Sequence, residues 1–418
     1  MKNYYEKGKE IIKKLLDLNY QAFFVGGFVR DYLLGIKAND IDITTNALPK
    51  DIQRIFTKTK ATGIKYGTIS VYVDEYNFEL TTYRADMNYI DHRRPERVVF
   101  SQKIEEDLKR RDFTINALAM NYDGDITDLF SGKADLNNKL IRAIGDPDLR
   151  FEEDALRILR AFRFVAKLGF DIEDKTLNSI NKNMDLLSKI SNERVLSELK
   201  KIIAYPHYKK ALSMLYTSKL HKVFPELEIG LELLNNLESY KLNFLEYFAL
   251  CIFSSNQDIP QTWRFSNKEK AYINKIIELI SVTENDNYNE MIIYRLGKDI
   301  SLMANNVSRL INPSNDQENL INNIYDNLSI YKTCDLKFKG QDILELTTLR
   351  NAEIIGKIID DITYQIITKN LKNNYEDIKN YTLGLMESKY EKKWKTILLL
   401  SRRFWWIDYY HPHKKLSG

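Results

Sequence analysis

The sequence predicts an α+β chain: a small mixed sheet with its helices up to about residue 145, then helices alone to the end. Three observations predict it. Short apolar runs, each closed by glycine or polar turn residues, occur in the first part. After Pro147 these signals vanish, and amphipathic patterns rich in Leu, Ile, Lys and Glu follow one another with little glycine between them. At 418 residues the chain exceeds one ordinary core, so several packed units are expected.

Residues 6–18 place Ile11, Ile12, Leu15, Leu16 and Leu18 at helical spacing. Ala22 to Val25 reads as a strand ending at Gly26-Gly27, and Phe28 to Leu34 as a helix stopped by Gly35. Ile41 to Thr44, Thr68 to Val73 and Phe78 to Tyr83 read as further strands, and Pro49 starts a short helix. Residues 86–97 are polar, charged and contain proline, which predicts a long mobile loop. A junction falls near 146. Pro206, Pro225, Pro260 and Pro313 punctuate the helical part, giving expected divisions of 1–145, 146–205, 206–300 and 301–418.

Composition removes several classes. A hydrophobic fraction of 44% and a charged fraction of 29% are those of a globular protein. No run of about 18 uncharged apolar residues predicts a membrane span, and the first residues, MKNYYEKGKE, lack the apolar core of a signal peptide. The two cysteines, Cys251 and Cys334, fit no metal-ligand spacing, and the five histidines form no HxxxH or HExxH pattern. A cytoplasmic protein without a disulfide framework or structural zinc is expected, and any catalytic metal must sit on carboxylates, which points to Mg²⁺.

The net charge of +4 does not announce a nucleic-acid binder, but its distribution is uneven. Residues 381–418 hold eight Lys/Arg against three Asp/Glu, interleaved with Trp394, Trp405, Trp406, Tyr409 and Tyr410. Such a segment suits phosphate-backbone contact; it equally suits a solvated helix whose aromatics pack on neighbours.

Three segments carry candidate chemistry. In the first, Gly26-Gly27 lies between a strand and a helix, where a backbone without Cβ atoms and free N–H groups can cradle phosphate. Arg30, one turn on, can add a bidentate contact. Asp40 and Asp42, two apart on a strand, share a face about 7 Å apart and can hold a pair of Mg²⁺ ions. Glu79, on another strand, is a candidate third carboxylate. Alone, a Gly-Gly is also an ordinary turn and an Asp-x-Asp an ordinary solvated edge; the combination in this order is the informative part. In the second segment, Lys109, Arg110 and Arg111 crowd three cations that an anion would compensate. Asp112, as an N-cap, and Asn116 would fix the backbone and leave Arg111 for a triphosphate or ribose.

The third segment, residues 150–163, reads as one amphipathic helix with Ala155, Ile158, Leu159 and Phe162 on its apolar face. Asp154, Arg157, Arg160 and Arg163 advance in steps of three along another face, so Asp154 and Arg157 are neighbours. An acceptor-only carboxylate beside a fork of donors can read the Watson–Crick edge of a base, although an intrahelical Asp–Arg pair with solvated arginines has the same pattern. Arg160 and Arg163 suit phosphate or support.

Together GGFVRDYLLG with DID, YGT at 66–68, ELTTYR at 79–84, DHRRPERVVF at 91–100, RRDFTINALAM at 110–120, GDPDLRFEEDALRILRAFRFVAKLGF at 145–170 and ERVLSELKK at 193–201 resemble the class II tRNA nucleotidyltransferases of the DNA polymerase beta superfamily. The resemblance runs from about residue 20 to 200. It implies a nucleotidyltransferase head, a neck with the nucleotide-selecting helix, a helical body and a tail that grips the acceptor-TΨC half of tRNA. It also implies Mg²⁺ on Asp40 and Asp42, phosphate contacts from Gly27 and Arg30, and nucleotide binding by Arg111. Asp154 and Arg157 would accept CTP and then ATP, Arg160 and Arg163 would complete the pocket, and Glu153 would set its geometry. The implied activity is stepwise addition of C, C and A to tRNA. The rivals are a bacterial poly(A) polymerase, an enzyme adding only CC or only A, and an inactive RNA-binding protein on the same scaffold. The full loop with Asp91, Arg93, Arg94 and Pro95 favours complete addition, because members that add only CC tend to have it shortened.

Overall fold

The structure is a computed structural model and describes residues 2–38, 40–90, 94–283, 286–346, 351–386 and 388; within these, the side chains of 2, 86–90 and 94–97 are not described. The chain folds as two compact units, Met1–Ile273 and Asn274–Gly418.

The first unit opens with α1 (Lys2–Leu16), whose Ile11, Ile12 and Leu15 are buried at the expected spacing. It continues through β1 (Ala22–Val25), α2 (Gly27–Leu33), β2 (Asp42–Thr45), α3 (Pro49–Ile55), β3 (Thr59–Gly63), β4 (Thr68–Val73), β5 (Tyr76–Thr82), β6 (Arg84–Ile90) and β7 (Arg94–Phe100). Then come α4 (Ile104–Lys109), β8 (Leu118–Met120), β9 (Ile126–Asp128), α5 (Gly132–Asn137) and β10 (Leu140–Ile141). Seven strands form one mixed sheet in the order β3-β4-β5-β2-β1-β8-β9. Only the β2–β5 pairing is parallel, with Asp42 opposite Glu79; β1 and β2 are antiparallel, with Val25 opposite Asp42. The chain therefore returns to the end of β1, where Gly26 precedes α2, to deliver Asp42. Buried threonines secure this region: Thr45 Oγ1 donates to the Gln21 carbonyl at 2.6 Å and Thr82 Oγ1 to that of Ala47 at 2.7 Å, so neither hydroxyl goes unpaired.

Residues 86–90 and 94–97 are strand and not the expected loop. Among the described residues, β6 and β7 form an antiparallel hairpin pairing Arg84 with Phe100 and Ile90 with Arg94. The hairpin makes its own two-stranded sheet. A ribbon that joins no buried sheet need not alternate apolar and polar residues, so its sequence lacks the usual strand signature. Asp91 and Arg93 lie outside the described residues, while Arg94 and Pro95 stand on β7.

The helical part starts with α6 (Pro147–Glu153), capped by Asp146, whose side chain accepts from the Asp148 N–H. Next is α7 (Leu156–Leu168). The single helix expected over 150–163 is thus broken: Asp154 adopts φ −144°, ψ 98° and separates α6 from α7. Strand signals also do not vanish at 147. β11 (Asp171–Ile172) pairs in parallel with β10, a two-residue strand too short to register in a pattern. Helices α8 (Asp174–Asn183), α9 (Asn192–Ala204), α10 (Tyr208–Thr217), α11 (Glu228–Asn236), α12 (Phe244–Ser254) and α13 (Asn267–Thr283) follow. Within the first unit α7 packs on α9 and α10, burying Ile158, Leu159, Phe162 and Val165 against Val195, Leu199 and Leu212.

The described residues from 290 onward in the second unit form α14 (Glu290–Leu296), α15 (Lys298–Ile311), α16 (Glu318–Asp326), α17 (Gly340–Leu346), α18 (Ala352–Ile367) and α19 (Tyr375–Leu385). The abundant asparagine finds a use here. Asn289, Asn351 and Asn374 each accept backbone N–H groups at a helix start, as Asn243 does in the first unit. Trp394, Trp405, Trp406, Tyr409 and Tyr410 of the basic segment lie outside the described residues. No helix among the described residues is long and apolar enough to cross a membrane.

Candidate active site

A cleft of about 500 Å³ in the first unit is walled by α2, the residues around β2, residues 110–116, α7 and α9. All but one of its walls come from the segments singled out in the sequence. Gly26, Gly27, Arg30, Asp40, Asp42, Arg111, Asp112, Asn116, Asp154, Arg157, Arg160 and Arg163 line it. Glu79 is opposite Asp42 in the sheet register but does not line the cleft, and neither does Glu153.

At one end, Gly26 has φ +68°, a left-handed conformation that glycine tolerates without strain. A Cβ there would stand 2.8 Å from Nη1 of Arg111. Arg111 is therefore laid directly over the turn, with Asp42 beyond it. One of its guanidinium nitrogens, Nη2, donates to Asp107 at 3.1 Å; among the described residues its buried Nε has no hydrogen-bond partner. Asp107 is fully buried, and its ionised form is sustained despite that burial by Arg110 and Arg111, which hold its carboxyl below the usual range. This pairing answers how three consecutive cations are accommodated: two of them share one buried carboxylate.

Asp40 is exposed and precedes β2, whose first residue is Asp42. Burial pushes Asp42 up to about 6; Arg111 opposes the rise, and the nearby Glu79 and Asp40 add to it. No ion pair engages Asp40, Asp42 or Glu79 among the described residues. Two oxygen-donor side chains with uncompensated charge fit a hard divalent cation. No group of three or more potential ligands gathers among the described residues, so Glu79 does not complete a three-carboxylate cluster.

The middle of the cleft is a continuous charged network. Arg30 is buried; Nε and Nη2 reach Asp31 at 2.8 and 2.7 Å and Nη1 donates to Asn116 at 2.6 Å. Asn116 donates to Asp112 Oδ1 at 2.9 Å, and Arg160 donates to Oδ2 from Nε at 2.8 Å and Nη2 at 2.5 Å. Asp112 caps no helix; its Oδ1 also accepts the Phe113 N–H at 2.8 Å. Burial alone would raise its carboxyl, but Arg160, Asn116 and that N–H hold it far below the ordinary range. Phe164 lies beneath Arg30, Arg160 and Arg163, its ring centroid 5.1, 5.9 and 4.8 Å from their guanidinium carbons. Arg163 pairs with buried Glu198 at 3.1 Å.

At the other end stand Asp154 and Arg157. Asp154 accepts the Leu156 N–H at 3.2 Å and faces Arg194 of α9 at 3.4 Å. Arg157 is buried and donates to Glu153 at 2.6 Å, to the Arg150 carbonyl at 3.1 Å and to that of Arg110 at 3.0 Å. Glu153 thus acts from behind the cleft wall, holding Arg157 together with Arg150. Lys167, Asp31, Phe164, Arg194 and Tyr205 were not singled out by sequence. Asp31 binds Arg30 and Lys167, the latter at 2.7 Å, and a pairing across 136 positions leaves no local signal. Arg194 falls within ERVLSELKK, a segment that carries the resemblance without a role for that arginine, and Tyr205 carried no signal.

A glycine turn at a helix start, two carboxylates two positions apart and an arginine-rich cleft are the features expected of a nucleotidyltransferase centre. Family models agree. The Poly A polymerase head domain matches residues 22–142, the RNA and SrmB-binding site of polymerase A matches 169–230, and tRNA nucleotidyltransferase domain 2 matches 247–381. The chain is 35% identical over 395 residues to the CCA-adding enzyme of Ligilactobacillus salivarius, covering 92% of this chain and 98% of that one. The Bacillus stearothermophilus CCA-adding enzyme, solved in complex with CTP, superposes with a TM-score of 0.79 at 30% identity, covering 94% of this chain and all of that one. The Thermotoga maritima CCA-adding enzyme complexed with tRNA shares the fold, with a TM-score of 0.63 at 21% identity over 90% of this chain and 94% of that one. The chain belongs to the CCA-adding enzymes and adds CCA to the 3′ end of tRNA.

Proposed function

We propose that this cleft takes CTP and ATP in turn, with the triphosphate toward Gly26-Gly27 and Arg111 and the base toward Asp154 and Arg157. The single observation that carries the reading is the presence, on one cleft, of the exposed Asp40 and half-buried Asp42 together with Asp154 and Arg157. Cytosine and adenine each offer an exocyclic amine next to a ring nitrogen acceptor; uracil and guanine offer a carbonyl next to an N–H. Asp154 accepts only and Arg157 donates only, so the pair complements the first two bases and opposes the other two. Glu153 keeps the Arg157 fork in place. Arg30, Asp112, Asn116, Arg160 and Arg163 brace the ribose and phosphate region through the network around Phe164.

The nucleotide addition forms a bond between the tRNA 3′-oxygen and the α-phosphorus, breaks the bond to pyrophosphate and releases the hydroxyl proton. Asp40 and Asp42 would hold two Mg²⁺ ions, which supply an acidified hydroxyl and charge neutralisation at the pyrophosphate when bound. Arg111, laid over the Gly26 turn, adds fixed positive charge beside the phosphates. Glu79 sits beside Asp42 in the sheet and contributes negative potential to that pair. The helices beyond residue 206 and the basic segment after 381 would grip the acceptor-TΨC half of tRNA by shape and phosphates. Action on tRNA and the lack of a membrane-spanning helix among the described residues support a cytoplasmic setting.

Incubating the protein with tRNA that lacks its 3′ end and each nucleotide in turn tests this directly. The expected product carries C, C and A and stops. A ladder of A residues, or arrest after two additions, contradicts it.

A further inference from the structure

A second cavity, of about 300 Å³, lies in the first unit outside the catalytic cleft and shares no lining residue with it. Tyr4 and Tyr5 of α1, Phe28 and Tyr32 of α2, and Gly35, Ile36, Ala38 and Ile41 of the following segment line it. None of these carries an ionised side chain, and burial raises the phenols of Tyr4 and Tyr5 further, keeping them neutral. The rings are arranged for stacking: Tyr5 lies 5.8 Å from both Phe28 and Tyr32, at interplanar angles of 27° and 29°. Tyr32 and Ile36 are 51% and 40% exposed, so aromatic and aliphatic walls stand open to solvent. The volume is at the lower end for small-molecule pockets, and the apolar lining with a few phenol groups is the usual chemistry of such sites.

The position of Ile41 gives the pocket a consequence. Ile41 is 3% exposed and sits between Asp40 and Asp42. Tyr4 reaches the backbone of Ile41 and feels the charges of Asp40, Asp42 and Glu79. The pocket therefore backs onto the segment that presents the carboxylates.

We propose that this cavity binds a neutral, planar aromatic small molecule of one or two fused rings, and that its occupation slows nucleotidyl transfer by shifting the segment that carries Asp40. Binding follows from the pocket's own chemistry; the effect on rate rests on Asp40 and Asp42 acting in catalysis, so the two parts fail separately. An occupant here touches neither the glycine turn nor the base-reading residues. It therefore lowers kcat and leaves the KM for CTP unchanged.

Indole is the probe, with the full chain, tRNA lacking its 3′ end, and CTP. Ligand-observed saturation-transfer NMR should detect indole on the protein both with and without saturating CTP. Rate measurements should show kcat reduced at least about threefold at saturating indole, through a shift in the population of competent protein. Tyr32→Ser removes the exposed ring. It should keep uninhibited activity within about twofold while losing both the NMR signal and the inhibition, as expected for an exposed position away from the cleft. If indole is displaced by CTP, or its signal survives in Tyr32→Ser, the site assignment is overturned. If indole binds but kcat is unchanged, the coupling to Asp40 is overturned.

Discussion

The two ends of the catalytic cleft treat carboxylates in opposite ways. Toward α7 and α9 every acidic side chain of the site has a cationic partner: Asp112 with Arg160, Glu153 with Arg150 and Arg157, Asp154 with Arg194, Glu198 with Arg163. Toward β2 the acids lack ion pairs among the described residues, and Asp42 is pushed up to about 6. The first arrangement pairs every carboxylate with arginine, which suits it to reading an uncharged base edge by geometry. The second stores unsatisfied negative charge and is suited to receiving cations together with a triphosphate. On the proposed reading, one end would select the base without ligands and the other would be completed only by them.

Substitutions at the two ends should therefore fail in different ways. The largest effect is expected at β2. Asp40→Ala or Asp42→Ala should lower nucleotide incorporation on the order of 10³-fold or more, equally for CTP and ATP; single-turnover rates with Mg²⁺ check this, and near-normal incorporation refutes the metal assignment. Next, Asp112→Asn should cost on the order of 2 kcal/mol of stability, because the half-buried Arg160 would lose its counter-charge, an effect reduced by its partial exposure. The folded carboxyl of Asp112 is depressed, so its contribution is complete above the unfolded value near 4 and is lost as pH falls toward the folded one. Urea denaturation should thus show the gap between the two proteins at neutral pH and a shrinking gap below about pH 4.

A smaller, selective effect is expected from Arg157→Ala. It should relax the preference for CTP and ATP over UTP and GTP by about 10- to 100-fold, the range for a lost bidentate base contact. Ratios of kcat/KM measure it. The smallest effect sharpens the contrast most. Asp42 titrates in the folded state above its unfolded value, so its ionisation opposes folding as pH rises from about 4 to about 6. Asp42→Asn should therefore stabilise the protein at pH 7.5 without divalent cations, by on the order of 1 kcal/mol after allowing for its partial exposure, and have no effect below about pH 4. Thermal melts across that range check the sign; a destabilised variant would mean that Asp42 is already compensated.

Local chemistry was legible in the sequence to the extent that it was local. Ala22–Val25 and Thr68–Val73 are strands over the residues that their apolar runs mark, and Pro49 begins a helix. Gly26-Gly27, Asp40 and Asp42 are close in sequence and line one cleft, with Asp42 beside the Gly26 turn. Asp154 and Arg157 both line the cleft, but not as neighbours on one helix face: the helix breaks at Asp154, and the apolar period runs on across the break because residues of both pieces are buried. The hairpin over 84–100 was missed because strands outside a buried sheet have no reason to alternate. Lys167 against Asp31 and Arg194 against Asp154 were invisible for another reason. Pairings over 136 and 40 positions are set by tertiary packing, and no spacing rule reaches them.

The most direct test of this division is one set of single-turnover measurements, CTP against UTP, on the wild-type protein, Asp42→Asn and Arg157→Ala with tRNA lacking its 3′ end. Asp42→Asn should slow both nucleotides by the same factor and leave their ratio unchanged, whereas Arg157→Ala should collapse the ratio. A changed ratio in Asp42→Asn, or an unchanged one in Arg157→Ala, would contradict the separation of bond making from base reading.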